Sequence, residues 1–320
     1  MSIKTLTVAG SGVLGSQIAF QAAYKGMQVT IYDINDKAIK EGKKRIKHLA
    51  KVYQDEIEAA KKSYGLKAQA ISYNSNLLPD LDDMFLSKVS ESLKLVASLP
   101  EAITFSKDLK EAVADADLLI EAVPEKISIK EDFYKQLAQV APDKTIFATN
   151  SSTLLPSQFA ELTGRPQMFI ALHFANNIWQ NNIVEVMGHE KTAEKTFDQV
   201  ISFSQDIGMV PLKLQKEQAG YILNSILVPF LENALALYYM KVSDSKTIDK
   251  TWKLGTGAPL GPLEILDIIG IETAYNIMKN YADTTENPDS LHARLAKMLK
   301  EDFLDKGYSG KAAGHGFYTY

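Results

Sequence analysis

Histidine is the side chain best suited to exchange protons near neutral pH, and the chain has five of them. His173 differs from the others because it ends an apolar stretch, 169–172, that predicts a β-strand. Reactive groups of open α/β sheets lie at such strand ends. Glu185 lies twelve residues further on, inside a second predicted strand, and its carboxylate would orient the imidazole if the two strands ran side by side. A buried structural histidine and a surface glutamate remain the alternative.

Hydrogen-bond donors follow another predicted strand, 145–149. Residues 150–153, Asn-Ser-Ser-Thr, offer hydroxyl and amide groups suited to binding a carbonyl oxygen. The same run is also typical of a helix N-cap. Asn224 is polar within an otherwise apolar helix start, and it is either a further donor or a buried structural asparagine.

A glycine-rich turn near the start of the chain is typical of a dinucleotide site. It has the pattern G-x-G-x-x-G and lies between a predicted strand and a predicted helix. Asp33 ends the next strand, where its carboxylate would bind ribose hydroxyls and repel a 2′-phosphate. Because no arginine follows at 34–36, the motif predicts NAD rather than NADP. The predicted cofactor contacts here are Gly10, Gly12, Val13, Leu14, Gly15 and Asp33.

Composition excludes several other kinds of chemistry. The 320 residues contain no cysteine, which rules out disulfides and thiolate chemistry, and we predict no metal site. The net charge of −4 disfavours nucleic acid as a partner. No apolar run approaches the roughly 18 residues of a membrane span, so the sequence predicts a soluble protein with no membrane partner. A strand predicted from Thr5 leaves no room for a signal peptide, and we expect a cytoplasmic protein.

Alternating strands and helices predict the fold class. Apolar, strand-like runs lie at 5–9, 28–32, 117–123, 145–149, 168–173, 183–187 and 210–214. With helices between them, they predict an α/β fold with a doubly wound, mostly parallel sheet of Rossmann type. We expect an NAD-binding domain at 1–216, with an inserted helical segment at about 36–106, and an all-helical domain at 217–320 for dimerisation or substrate binding.

The inserted segment begins with a predicted basic amphipathic helix. Apolar residues recur at helical spacing between 39 and 53, and seven lysines or arginines between 37 and 51 cover the other faces. One interpretation is a solvated surface. The other is a binding surface for a phosphorylated substrate such as coenzyme A. Residues 74–95 have no predicted role.

These motifs resemble the 3-hydroxyacyl-CoA dehydrogenase family over nearly the whole chain. The family pattern appears in order as Gly10-x-Gly12-x-x-Gly15, Asp33, Glu121-Ala122-Val123-x-Glu125, Asn150-Ser151-Ser152, His173-Phe174, Glu185-Val186, Gly220-Tyr221-x-x-Asn224, Gly261-Pro262-x-Glu264-x-x-Asp267 and Gly316-Phe317-Tyr318. The resemblance implies an NAD-dependent oxidoreductase that interconverts 3-hydroxyacyl and 3-oxoacyl compounds. It also implies that the helical domain forms a homodimer.

The resemblance assigns roles to individual residues. It implies that His173 is the catalytic base and that Glu185 orients it. It implies that Ser152 and Asn224 donate hydrogen bonds to the C3 oxygen of the substrate. The nicotinamide half of the NAD site would be lined by Ala122, Glu125, Lys130 and Asn150, with Val123 as a further cofactor contact.

One loop departs from the family pattern. After His173-Phe174 the family usually continues Phe-Asn-Pro, whereas residues 175–182 read Ala-Asn-Asn-Ile-Trp-Gln-Asn-Asn. This wording resembles the branch of bacterial diketoreductases and 3-hydroxybutyryl-CoA dehydrogenases, and it predicts Asn176 and Trp179 as substrate contacts. Two alternatives remain open: a β-keto ester or diketone reductase that makes little use of coenzyme A, and a non-enzymatic NAD-binding protein similar to a lens crystallin.

Overall fold

The computed structural model describes residues 3–63, 85–285 and 287–320. The chain divides into two compact units, Met1–Ile222 and Leu223–Tyr320. The sequence pattern placed this boundary earlier, between 216 and 217. The difference arises because residues 220–222 still bond to Ser151, Ser152 and Glu185 of the first unit.

The first unit is built on one sheet. Its described strands are β1 (Thr5–Ala9), β2 (Gln28–Tyr32), β3 (Thr104–Ser106), β4 (Leu118–Glu121), β5 (Ile146–Thr149), β6 (Phe169–Phe174), β7 (Ile183–Met187) and β8 (Val210–Lys213). They lie in the order β3-β2-β1-β4-β5-β6-β7-β8, and each neighbouring pair is parallel except β6 and β7. The predicted α/β class with a mostly parallel sheet is confirmed.

Both faces of the central strands are buried, which is the pattern expected of parallel strands between helical layers. Alternate residues of β4 enter two separate cores, with Leu118 and Ile120 on one face and Leu119 on the other. The described helices of this unit are α1 (Val13–Tyr24), α2 (Asp36–Ser63), α3 (Phe85–Ala102), α4 (Leu109–Val113), α5 (Ile127–Val140) and α6 (Glu194–Asp206). Because β1, β4, β5 and β6 are parallel, their carboxyl ends meet at one edge of the sheet.

The inserted segment contains α2 and α3, and β3 ends it. The sequence did not predict β3, because three residues are too few to show a period. The basic helix predicted after Asp33 is α2, with Ile46, Tyr53 and Ile57 buried along its inner face. Of the segment without a predicted role, residues 74–84 lie outside the described residues, and the remainder belongs to α3.

The second unit is helical, as the sequence predicted. Its described helices are α7 (Tyr221–Tyr239), whose first two residues belong to the first unit, α8 (Ser245–Thr256), α9 (Pro262–Ile269), α10 (Ile271–Thr285) and α11 (Leu291–Met298). Leu235, Leu263, Leu295 and Leu299 are buried in a core of their own. Burial of that apolar surface is the main force that holds the helices together.

Two buried aspartates explain the Gly-Pro-x-Glu-x-x-Asp motif of this unit. Asp249 accepts hydrogen bonds from the backbone N–H groups of Leu263 and Glu264, which begin α9. Asp267, at the other end of the motif, accepts from the backbone N–H groups of Phe317 and Tyr318. Each carboxylate therefore accepts from two backbone N–H groups, at the start of α9 or near the end of the chain. Burial would otherwise leave these groups without a hydrogen bond.

Part of the second unit has an apolar surface. Ile226, Met240, Val242 and Leu254 are each more than half exposed. By length and composition alone, α7 is long and apolar enough to cross a membrane. The mean hydropathy of its most apolar 18 residues is 1.3, and 28% of that stretch is buried. A single such helix is weak evidence for a membrane span.

Candidate active site

Three loops and the end of a strand converge at the carboxyl edge of the sheet. The glycine turn 10–15 follows β1, residues 122–125 follow β4, residues 150–153 follow β5, and His173 is the penultimate residue of β6. Parallel pairing brings these segments together although they are far apart in the sequence. This edge is the usual binding crevice of an open α/β sheet.

His173 and Glu185 lie directly opposite each other in the antiparallel pair of β6 and β7. The Nδ1 atom of His173 is 3.0 Å from Oε2 of Glu185, and both side chains are almost fully buried. With Nδ1–H donating to the carboxylate, Nε2 carries a lone pair that can accept a proton. Glu185 is itself held by the backbone N–H of Ile222, which donates to Oε1 at 2.8 Å.

Ser152 provides a hydroxyl next to that lone pair. Its Oγ atom is 3.2 Å from Nε2 of His173. A carbonyl or hydroxyl oxygen placed near both atoms would meet one group that exchanges a proton and one that donates a hydrogen bond. The N-cap alternative does not apply to residues 150–153, because the next helical turn begins at Pro156 with Leu155 as its N-cap.

A buried carboxylate lies at the end of β4, on the same edge of the sheet. Glu121 ends β4 with no exposed surface and accepts hydrogen bonds from the Lys130 ammonium at 2.6 Å and the Thr149 hydroxyl at 2.7 Å. It also accepts from the Tyr134 hydroxyl and the backbone N–H of Val123. A charged group is stable at this depth only when such partners surround it.

Glu125 connects this buried pair to the loop after β5. It accepts hydrogen bonds from the Ser151 hydroxyl and from the backbone N–H and hydroxyl of Thr153, and the Lys130 ammonium is 3.2 Å away. Burial by itself would raise the pKa of Glu125, but these donors and the ammonium lower it overall. The carboxylate therefore stays ionised and ties the two loops together.

The glycine turn packs tightly at two of its glycines and is open at the third. Gly10 has φ +109°, and a Cβ there would lie 2.4 Å from the carbonyl oxygen of Ala122. A Cβ on Gly15 would lie 2.0 Å from the carbonyl oxygen of Gly10, whereas a Cβ on Gly12 would meet nothing within 4 Å. Gly10 and Gly15 therefore permit close packing, and Gly12 opens onto space. No side chain of the described residues caps α1, so its first amides face this space.

Asp33 is fixed beside the turn before any cofactor binds. Its Oδ2 atom accepts hydrogen bonds from the backbone N–H of Ser11 at 2.8 Å and from the Ser11 hydroxyl at 2.5 Å. Oδ1 accepts from the backbone N–H of Ile34. A carboxylate accepts about four hydrogen bonds, so it retains capacity for a ribose hydroxyl.

The loop 175–182 differs from the expectation at one of two positions. Asn176 is exposed, as a substrate contact requires. Trp179 is only 7% exposed and packs in the core, with its ring centroid 5.7 Å from that of Tyr53. The indole offers little surface to a substrate, because its apolar area is covered by α2. The Nε1 atom of Trp179 has no hydrogen-bond partner among the described residues.

Lys130, a predicted cofactor contact, is 1% exposed, and its ammonium lies 2.6 Å from Glu121 and 3.2 Å from Glu125. Asn150 lies at the sheet edge, where its side-chain oxygen accepts the backbone N–H of Phe174 at 3.1 Å. Asn224 lies in the first turn of α7, in the second unit.

The remaining predicted cofactor residues also lie at the sheet edge: Val13 and Leu14 begin α1, and Ala122 and Val123 follow β4. Within the described ranges, no group of three or more His, Asp or Glu side chains could hold a metal ion.

Sequence reasoning missed two features. Tyr221 stacks on His173, and Glu121 is the centre of a buried network. The apolar run Leu-Leu-Ile at 118–120 ends in Glu121. This was a usable signal for the network, since an unpaired carboxylate is rare in a buried strand. Nothing in the local pattern around Tyr221 indicated the stack.

Family models match almost the whole chain. The model of the 3-hydroxyacyl-CoA dehydrogenase NAD binding domain matches residues 5–95 and 83–218. The model of the 3-hydroxyacyl-CoA dehydrogenase C-terminal domain matches residues 220–320. The two matches meet near the start of α7.

Individual relatives cover the full length as well. Human mitochondrial hydroxyacyl-coenzyme A dehydrogenase is 32% identical over 319 residues, which are 99% of this chain and 91% of that protein. A probable 3-hydroxybutyryl-CoA dehydrogenase of Bacillus subtilis is 32% identical over 326 residues, covering 100% and 98% of the two chains. A solved diketoreductase structure is 46% identical, with a TM-score of 0.82 and complete coverage of both chains.

Proposed function

The chain belongs to the 3-hydroxyacyl-CoA dehydrogenase family of NAD-dependent oxidoreductases, and from this premise we propose that it interconverts a 3-hydroxyacyl and a 3-oxoacyl compound by hydride transfer. The observation that carries the proposal is the arrangement of His173. Its Nδ1 atom is 3.0 Å from the buried carboxylate of Glu185, and its Nε2 atom is 3.2 Å from the Ser152 hydroxyl.

The proposed chemistry requires one proton to move at Nε2 of His173. In the oxidising direction Nε2 takes the proton of the C3 hydroxyl group while the C3 hydrogen leaves as hydride. In the reducing direction the imidazolium returns that proton to the C3 carbonyl oxygen. Glu185 keeps the proton on Nδ1 and stabilises the imidazolium charge, and the Ser152 hydroxyl donates to the same substrate oxygen. Asn224 is proposed as a second donor.

NAD, when bound, supplies the hydride acceptor or donor. The first amides of α1 and the space above Gly12 suit its pyrophosphate, because the helix N-terminus is positive and uncapped. Asp33 is proposed to bind the adenosine ribose. The nicotinamide half is assigned to the loops that carry Ala122, Val123, Glu125 and Asn150.

Replacing Asp33 by asparagine should weaken the preference for NADH over NADPH. The wild-type carboxylate repels a 2′-phosphate, and the amide removes that repulsion while it also loses strength as an acceptor for the ribose. We expect the ratio of the two dissociation constants, measured by cofactor fluorescence, to change by about tenfold or more. Asp36→Asn is the control, since Asp36 is exposed and paired with Lys107. An unchanged ratio in Asp33→Asn would contradict the assigned role.

The acyl carrier divides the proposal into two candidates. For coenzyme A, the support is the basic helix α2, where Lys40, Lys44, Lys47 and Lys51 share one face by their spacing. Lys44 and Lys51 pair with acidic neighbours on the helix, whereas no ion pair involves Lys40 or Lys47 within the described residues. For a β-keto ester or diketone, the support is the 46% identity to a diketoreductase.

Steady-state NADH oxidation with acetoacetyl-CoA and with a simple β-keto ester distinguishes the two carriers. If coenzyme A contributes binding energy, the thioester should exceed the ester about a hundredfold in kcat/KM. The double variant Lys40→Glu/Lys47→Glu should then lower the thioester value and leave the ester value unchanged. Lys195→Glu on α6 is the charge-reversal control away from α2, and it is compared with each single variant, Lys40→Glu and Lys47→Glu, as well as with the double variant. Equal values for thioester and ester would favour the reductase of simple ketones, and no turnover of either would contradict the proposed function.

We further propose that two copies associate through the apolar surface of the second unit. The support is that Ile226, Met240, Val242 and Leu254 of this unit are each more than half exposed, and exposed apolar side chains are typical of association surfaces when they are grouped. Light scattering should give twice the 35.4 kDa mass of the chain, and a monomer mass would exclude the homodimer. We also propose that the protein resides in the cytoplasm. Its recovery in another compartment after cell fractionation would contradict this proposal.

A further inference from the structure

The backbone at Tyr221 is unusual and requires an explanation. Tyr221 has φ +54° and follows Gly220, which has φ +80°. The left-handed region costs a non-glycine residue about 1–3 kcal/mol, so such a residue persists only where its surroundings hold it. Tyr221 begins α7 and is 1% exposed. Strained residues of this kind cluster at functional sites.

The ring of Tyr221 lies flat against the imidazole of His173. The two ring centroids are 4.4 Å apart and the planes differ by 13°. The hydrogen bond to Glu185 fixes where Nδ1 points, but by itself it permits the imidazole to tilt about that bond. The stacked ring blocks this motion on one face. Met187, Ala171 and Leu155 pack around Tyr221 and hold it in place.

The segment 220–222 contacts the loop after β5 and the two strands that carry His173 and Glu185. The backbone N–H of Gly220 donates to the carbonyl oxygen of Ser152 at 3.2 Å. The Tyr221 hydroxyl donates to the carbonyl oxygen of Ser151 at 2.9 Å. On the other side, the backbone N–H of Ile222 donates to Glu185 at 2.8 Å. The segment therefore sets the position of the Ser152 loop relative to the two strands.

The Tyr221 hydroxyl stays protonated, which suits its role as a hydrogen-bond donor. Burial, reinforced by the nearby carboxylates of Glu125 and Glu185, raises the pKa of Tyr221 far above its usual value. The hydroxyl therefore remains a donor to Ser151 at any working pH.

We infer that Tyr221 is a positioning residue, which holds the imidazole of His173 and the Ser152 loop at the distance that proton transfer requires. This inference rests on the proposed function, since it concerns the same histidine. A phenylalanine at 221 would keep the stacked ring and lose only the bond to Ser151. A leucine would remove the aromatic face as well.

Steady-state kinetics of Tyr221→Phe and Tyr221→Leu test the inference. We expect kcat to fall about fivefold in the first variant, the equivalent of one hydrogen bond. It should fall about a hundredfold in the second, as expected for a misplaced catalytic group. KM for NADH should stay within about twofold of the wild-type value in both variants, because neither substitution removes a proposed contact with the cofactor. Tyr53→Phe is the matched control, since it also removes a buried tyrosine hydroxyl bond, to Gln21 at 2.6 Å.

The outcomes separate this inference from the proposed function. Tyr53→Phe should lower Tm as much as Tyr221→Phe and keep its kcat, which shows that lost stability alone does not slow turnover. An active wild type with unchanged kcat in Tyr221→Leu would overturn the inference and leave the proposed function intact. If Tyr221→Leu does not fold, an unchanged kcat in Tyr221→Phe would overturn the role of the hydroxyl. A wild type that turns over no 3-oxo compound would overturn both.

Discussion

His173→Ala should lower kcat by about two to four orders of magnitude, the usual contribution of a general acid–base group. The variant removes the only proposed proton acceptor and leaves the Ser152 hydroxyl as a donor, so some activity should remain. The dissociation constant for NADH should be unchanged, since none of the proposed cofactor contacts is altered. Steady-state kinetics at saturating NADH and a fluorescence titration of NADH measure the two quantities separately.

Two further variants are compared with His173→Ala, one as a control and one with a smaller expected loss of kcat. His189→Ala removes another histidine of the first unit, whose Nε2 atom bonds to the Pro166 carbonyl at 3.0 Å, and it should keep full kcat. Glu185→Gln should cost less than His173→Ala, because it misorients the imidazole without removing it. A His173→Ala enzyme that retains wild-type kcat would refute the assignment of the proton acceptor.

Lys130→Met should destabilise the first unit by about 3–5 kcal/mol, the usual result of removing one partner of a buried ion pair. The ammonium is 1% exposed and lies 2.6 Å from Glu121, which has no exposed surface. Methionine fills a similar volume but leaves the Glu121 carboxylate buried beside an apolar chain. Because 1 kcal/mol shifts Tm by about 2–4 °C in a unit of this size, thermal unfolding should occur about 10 °C lower.

The exposed pair on the same helix provides the control. Lys135 lies 3.9 Å from Glu131, with both side chains largely in water. Lys135→Met should cost at most about 0.5 kcal/mol, as is typical of exposed pairs. The double variant Lys130→Met/Glu121→Gln should recover part of the lost stability, because it removes the unpaired charge. Equal Tm values for Lys130→Met and Lys135→Met would show that the buried pair does not stabilise the unit.

The pairing of His173 with Glu185 shows how far sequence reasoning reached. An apolar strand ending in histidine, a polar turn and a second strand with a glutamate twelve residues later predicted two neighbouring side chains. The structure places them in register on β6 and β7. This pairing was within reach of the sequence because a short connection between consecutive strands leaves few ways to pair them.

Lys130 and Trp179 show where the same reasoning ended. Both were predicted to face a ligand, and both are buried. The letters around Lys130 in α5 resemble an ordinary amphipathic helix, and its burial depends on Glu121 at the end of β4. Trp179 is covered by Tyr53 of α2, which is more than a hundred residues away in the chain. Local patterns do not record which distant element covers a side chain.

The sequence by itself determined the α/β class, the helical second unit, the glycine turn with Asp33 and the candidate proton acceptor. Each of these depends on local spacing, namely the strand and helix periods and the geometry of a tight turn. Only the tertiary structure decided that Tyr221 stacks on His173 and that Lys130 neutralises Glu121. Those contacts join residues from separate elements, and packing selects them through a balance of burial and hydrogen bonding that no single stretch of sequence contains.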